Sequence, residues 1–146
     1  MRYAIDCEFI DIPSCSALIS LGVFCEDGRA AYFEFDYPQN QVTPWLRENV
    51  IPHLTGTRWE PSAAAERLID FIGDDKPEFW CYYGAYDWYW FCRLFGGLFS
   101  LPDAWPDRYR ELADYVNGKP QAEGAQHNAL ADAKGIMAVV QALAKR

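Results

Sequence analysis

Four acidic residues and one histidine stand where side-chain chemistry, more than fold, would require them. The run Ala4-Ile5-Asp6-Cys7-Glu8-Phe9 reads as a strand. Alternate side chains of a strand share a face, so Asp6 and Glu8 point the same way. Asp is disfavoured inside strands. Two adjacent carboxylates repel, and burial raises the cost of each. A bound cation removes both penalties, and a solvated acidic edge strand avoids them; the pair alone does not choose between these. Asp87 follows the aromatic run Glu78–Tyr83 and the turn Gly84-Ala85-Tyr86. An Asp there caps a helix, and the carboxyl end of a strand is also where α/β sheets place their sites. Asp132 falls in the last helix, with Ala129 at i−3 and Ile136 at i+4 on the apolar stripe. Nearness to a helix N-terminus suits its charge but does not explain its place beside the core. His127 lies five positions before Asp132, roughly 140° around a helix. The two meet only if His127 reaches over from the loop or first turn. His53, between Pro52 and Leu54, reads as structural.

The elements that must position these groups are legible in outline. Tyr3–Ile10, Ala17–Phe24 and Ala30–Phe35 read as strands, with a hairpin turn at Glu26-Asp27-Gly28-Arg29. Pro44–Leu54 reads as a short helix interrupted by Pro52, and Pro61-Ser62 opens a better one over Ala63–Ile72 that stops before Gly73. Glu78–Tyr83 is a strand and Asp87–Phe95 a helix stopped by Gly96-Gly97. Leu101–Asp107 is a loop, and Arg108–Val116 looks helical, with a hidden strand as the alternative. Gly118–Gln126 reads as an exposed, mobile loop, and the last helix runs from about Asn128 to Lys145. The order implies an α/β fold, a mixed sheet covered by helices. The 146 residues suit one domain, 1–146, with no internal repeat or linker.

Composition narrows the classes. Hydrophobic residues make up 51% of the chain, too many for a disordered segment. No apolar run approaches the roughly 20 residues that span a bilayer, and no signal-peptide pattern opens the chain, so no membrane association is expected. Five cysteines, an odd number with no C-x-x-C pair, point to reduced thiols and a cytoplasmic location. The net charge of −8 argues against nucleic-acid binding through a basic surface. It leaves room for a protein whose positive charge is borrowed, since two divalent cations would add +4 at the acidic cluster.

The ordered combination is more specific than its parts. D-x-E on an early strand, Asp after a central strand and H-x-x-x-x-D opening the last helix together resemble the DEDDh exonucleases, relatives of oligoribonuclease, RNase T and the proofreading exonucleases. The segments that carry the resemblance are Asp6-Cys7-Glu8-Phe9-Ile10, Gly84-Ala85-Tyr86-Asp87 and His127 through Ala133. Within that group the chain is similar to the small exoribonucleases of the RNase AS type. That similarity adds Arg2-Tyr3, Leu18 through Val23, Glu26 through Arg29, and Trp80. The resemblance implies a ribonuclease H-like mixed sheet, three antiparallel strands first and then parallel additions, flanked by α-helices. It also implies two Mg²⁺ or Mn²⁺ ions, 3′-to-5′ removal of 5′-mononucleotides, adenylate-rich RNA ends as substrate, and commonly a homodimer. Two departures stand out: Cys7 replaces a common Thr or Leu, and the stretch between Gly97 and His127 is short.

On that basis Asp6, Glu8, Asp87 and Asp132 hold two cations through hard oxygen ligands. The cations activate water and stabilise the departing oxygen. His127, with an ordinary pKa of about 6.5, accepts the water's proton. Phe9 and Ile10 flank the terminal base of a single-stranded RNA 3′ end, by stacking and apolar contact. Trp88, Trp90 and Phe91 are assigned mainly to the core. Arg108, Arg110 and Lys119 are candidate phosphate contacts that serve equally as surface charges. Three other readings keep different predictions. A DNA 3′-5′ exonuclease of the proofreading type would cleave matched DNA. A non-catalytic nucleotide-binding module would bind without cleaving. A plain α/β domain with surface acids would ignore metal.

Overall fold

The computed structural model describes residues 1–145. Its centre is a long antiparallel hairpin, β1 (Arg2–Ile12) and β2 (Cys15–Cys25), closed by the two-residue turn Pro13-Ser14. β3 (Ala30–Glu34) pairs antiparallel with β2, while β4 (Glu78–Cys81) pairs parallel with the other side of β1. A two-residue strand, β5 (Arg110–Glu111), adds parallel to β4, giving the order β3-β2-β1-β4-β5. This is the expected mixed sheet, and it lies between helices on both faces.

The odd-numbered residues of β1 and β2, among them Tyr3, Ile5, Leu21 and Val23, form one core with α2 (Pro61–Ile72) and α3 (Ala85–Leu94). Ala4 and Trp80 face the other way, against Ala133, Ile136, Met137 and Val140 of α4 (Ala129–Leu143). A third cluster sits at the far end of the hairpin, where Ile10 and Ile19 pack against Leu46 of α1 (Pro44–Asn49). Two turns set the ends of the helices that matter most. Thr43 caps α1 and Asn128 caps α4, each side chain accepting the N–H three residues on, from Leu46 at 3.2 Å and from Ala131 at 3.1 Å.

The segment Arg108–Val116 is not a helix. Arg110 and Glu111 pair with Trp80 and Cys81, and a single 3-10 turn, Leu112–Asp114, follows. The strand that the sequence left as the alternative is present, but two residues are too few to show any periodicity that would favour it over a helix. Nor is Gly118–Gln126 a free loop. Pro120 is buried, Glu123 donates its N–H to the Ala131 carbonyl at 3.0 Å, and Gly135 leaves room for the Gln121 carbonyl to press onto α4.

One contact sets the height of α4 over the sheet. Gly22 lies opposite Asp6 in the β1–β2 register, and the first turn of α4 rests on it. A β-carbon at Gly22 would overlap the Ala129 carbonyl and the Leu130 nitrogen. Replacing Gly22 with Ala should therefore cost about 1–3 kcal/mol, as overpacking usually does. Because the same shift lifts Asp132 away from Asp6, the rise in Tm on adding Mg²⁺ should shrink too. Thermal unfolding of Gly22→Ala with and without Mg²⁺ checks both.

Candidate active site

Asp6 and Glu8 project from β1 on the α4 side, and Asp132 descends from the first turn of α4 onto them. Asp87, in the first turn of α3, comes over the carboxyl end of the sheet and is pinned there: its Oδ1 accepts the Cys7 N–H at 3.0 Å. All four carboxylates and His127 line one cleft of about 450 Å³. Asp87 and Asp132 are only 6% and 5% exposed. His127 adopts a left-handed backbone, φ 63°, just ahead of the cap residue Asn128. That turn aims its N–H at Asp132 Oδ2, 2.9 Å away. A ligand-type atom of Glu8, His127 and Asp132 each lies within 4.8 Å of the others. The His127 ring meets the Trp45 ring edge-on at 4.8 Å, so α1 borders the site as well.

The electrostatics are those of a crowded acidic pocket. Burial, then the charges of Asp87, Glu8 and Asp132, push the Asp6 carboxyl far above the usual range. Burial and Asp132 push Glu8 up to about 8. Burial raises Asp87 to about 7, against the opposing hydrogen bond from Cys7. Burial and then Lys119 lower His127. Asp132 Oδ1 is buried with no hydrogen-bond donor among the described residues. A buried carboxylate does not have to look like this. Glu34, 1% exposed on β3, is surrounded by the Thr55 and Gly56 amides, the Tyr32 hydroxyl and Arg58. Those donors outweigh burial and hold it below its ordinary value. Asp87 and Asp132 accept one backbone N–H each, far fewer donors than Glu34 has, and an orphaned buried oxygen amid repelling carboxylates is a fit for hard divalent cations.

Around the acids the cleft is aromatic. Phe9, half-buried, stacks on Tyr86 at 5.0 Å and 18°. Ile10 does not join it: it is fully buried against Ile19 and the α1 segment and reaches no ligand. Its side chain follows Glu8 in the alternation but lies beyond the bulge at Glu8/Phe9, under α1 instead of in the cleft. Trp88 and Phe91 are core residues. Of the three basic candidates only Lys119 borders the cleft. Arg110 pairs with Glu78 at 2.9 Å over the Trp80 ring, and Arg108 lies in a separate groove. His53 is nearer than its isolation in sequence suggested, accepting a hydrogen bond from Asn128 through its carbonyl at 3.4 Å. Trp45, Tyr83 and Tyr86 also line the cleft. Tyr86 sits in the Gly84–Asp87 motif and was readable from it; nothing in the sequence marks Trp45.

Residues 1–144 match the model of the 3′-5′ exoribonuclease Rv2179c-like domain. The chain belongs to this family of 3′-5′ exoribonucleases. It is 32% identical over 147 aligned positions to the 3′-5′ exoribonucleases Rv2179c and MT2234.1 of two Mycobacterium tuberculosis strains, covering 92% of this chain and 88% of each relative. Its fold matches that of exonuclease I, with a TM-score of 0.63 at 14% identity over 99% of the chain. An E. coli exonuclease I bound to a dA13 oligonucleotide gives 0.61 at 15% identity. The chain spans about two-fifths of the length of those exonuclease I chains, 41% and 40%. No described helix is long and apolar enough to cross a membrane.

The raised carboxylates dictate how stability varies with pH when no divalent cation is present. Asp6, Glu8 and Asp87 bind protons more tightly folded than unfolded. Their contribution is complete below the unfolded value, about 4, and is lost as pH rises through the folded values. In EDTA, Tm should fall as the pH is raised through 7 and 8, the values reached by Asp87 and Glu8. Mg²⁺ or Mn²⁺ should raise Tm most at the top of that window, where it displaces fewest protons. Calorimetric scans from pH 5 to about pH 8.5, with and without cation, test the sign; a Tm in EDTA that climbs with pH would contradict it.

Proposed function

We propose that this 3′-5′ exoribonuclease acts through Asp6, Glu8, Asp87 and Asp132 as cation ligands and His127 as general base, with two Mg²⁺ ions, or Mn²⁺, as cofactors. The observation that carries the reading is the buried, donorless Oδ1 of Asp132 facing carboxylates that hold protons so tightly. Divalent cations in such a site supply a nucleophile from water at neutral pH and neutralise charge on the departing oxygen. Asp6 sits centrally, feeling the charges of the other three acids, and would help to hold the cations. Asp87, held by the Cys7 amide, needs no reorganisation to present its second oxygen.

His127 does the proton transfer. Its lowered proton affinity leaves the ring neutral and ready to accept at neutral pH. The hydrogen bond from its backbone to Asp132 and the Trp45 contact restrain where the imidazole points. Phe9, backed by Tyr86, supplies a flat apolar surface for the terminal base. An adenylate-rich single-stranded 3′ end fits that reading, since purines offer the larger stacking face. Four buried thiols of five suit a reducing cytoplasm, residues 1–146 act as one catalytic domain, and assembly as a homodimer follows from the family resemblance.

Asp6→Asn deletes a charge at nearly constant shape and should abolish cleavage while the fold survives. EDTA should do the same to the parent, and 5′-mononucleotides should be the product of a 5′-labelled RNA shortened from its 3′ end. His127→Ala should lower kcat by about 10²-fold or more with cation affinity little changed. At saturating cation the acid limb of the parent's rate should lie below about pH 6.5, the unshifted histidine value. A His127→Ala protein that loses cation as severely as Asp132→Ala would make His127 a ligand instead. Matched RNA and DNA oligonucleotides separate this enzyme from a DNA-directed one.

A further inference from the structure

Tyr83 is held in a conformation its fold does not need. It is not a glycine, yet its φ is +52°, and its ring is 73% exposed. Non-glycine residues in this region are strained and persist where the surroundings impose them. Here the surroundings are one side chain. Glu111, on β5, accepts the Tyr83 and Gly84 N–H groups, both at 2.8 Å, and the Ala113 N–H at 3.0 Å. The next residue, Gly84, is packed tightly, since a β-carbon there would overlap Cys81 and crowd Tyr109. An aromatic ring is thus fixed in solvent at the edge of the acidic cleft.

Beside it lies a pocket of about 240 Å³ that shares most of its lining with the cleft that holds Phe9 and His127. Its lining joins Asp6, Tyr82, Tyr83, Lys119 and Asp132, all of which also border the main cleft, to Pro120 and Ile136, which do not. Lys119 is exposed, and it is in no ion pair among the described residues. It does not hang free, since the buried Pro120 and the Gln121 contact with Gly135 fix the chain just after it. An exposed aromatic residue with an anchored backbone, a lysine in no ion pair among the described residues and an apolar floor beside the carboxylates are what a second nucleotide of a single strand requires. In a protein of net charge −8 this lysine is well placed to meet a phosphate next to the site.

We propose that Tyr83 and Lys119 form the subsite for the RNA nucleotide upstream of the scissile bond, the ring stacking its base and the ammonium meeting its phosphate. Glu111 is a positioning residue that holds the ring there. The proposal rests on the active-site reading above, and the test keeps the two apart. Parent, Tyr83→Gly, Tyr83→Phe and Lys119→Gln are compared on a single-stranded RNA and on the p-nitrophenyl ester of a 5′-mononucleotide, which has no upstream nucleotide. RNA binding is measured by anisotropy in a His127→Ala background.

Glycine is at ease at positive φ, so Tyr83→Gly should unfold at the parent's Tm or above it. Its RNA affinity should nevertheless fall about tenfold, within the range for one lost base stack. Its kcat/KM should fall about tenfold more on RNA than on the ester, and Tyr83→Phe should stay near the parent. Lys119→Gln should flatten the slope of log affinity against log salt by about 0.7, the value for one phosphate contact on a single strand. Unchanged RNA affinity in Tyr83→Gly, equal losses on RNA and ester, or a Tm several degrees lower would each overturn the subsite. A parent that cleaves neither substrate would instead overturn the active-site reading.

Discussion

Carboxylates gathered in a shared cleft hold protons far more tightly than they would in water, because burial and mutual repulsion both penalise ionisation. Asp6, Glu8 and Asp87 show that effect, and each is raised by burial first and by neighbouring acids after it. Keeping such a cluster folded requires elements rigid enough to resist its repulsion. The long β1–β2 hairpin supplies that rigidity. It carries Asp6 and Glu8 in the interior of an 11-residue strand, paired on one side with β2 and on the other with β4. The fourth acid arrives only because α4 can sit low on the sheet, and it sits low because Gly22 has no side chain.

The contrast with Glu34 and Glu111 explains what distinguishes a site from a structural carboxylate. Both of these acids have backbone N–H donors for their oxygens, and each organises a turn: Thr55–Gly56 in one case, Tyr83–Gly84 in the other. Donors of this kind stabilise the ionised form. Asp132 Oδ1 has none. The same carboxylate group thus does opposite work, and the difference lies in which backbone amides the fold brings within reach.

The substrate-facing surface is organised by the same economy of parts. The chain has few positive charges near the acids, so affinity must come largely from cations bound at the cluster and from aromatic faces. Phe9, Tyr86 and Tyr83 all border the cleft that holds the carboxylates, with Trp45 beside His127. α1, a helix of only six residues, matters here out of proportion to its length. It closes the third core cluster over Ile10 and presents Trp45 to the histidine.

The sequence by itself determined the first three strands with the hairpin turn between β2 and β3, the order of the main elements and the identity of the five polar residues that meet in the cleft. Strand alternation and helical periodicity are local and mark the elements, while the five residues stood out through their ordered combination, which resembles the DEDDh exonucleases. Tertiary structure alone decided the rest. β5 has two residues and owes its existence to pairing with β4. Lys119 looks like any surface lysine until Pro120 and Gly135 fix its loop onto α4. Ile10 adjoins the acidic strand in sequence, yet a bulge and the placement of α1 bury it. Tyr83 is marked by a backbone angle that Glu111 imposes from 28 positions away. Each of these depends on a contact between residues distant in the chain, and local pattern carries no record of such contacts.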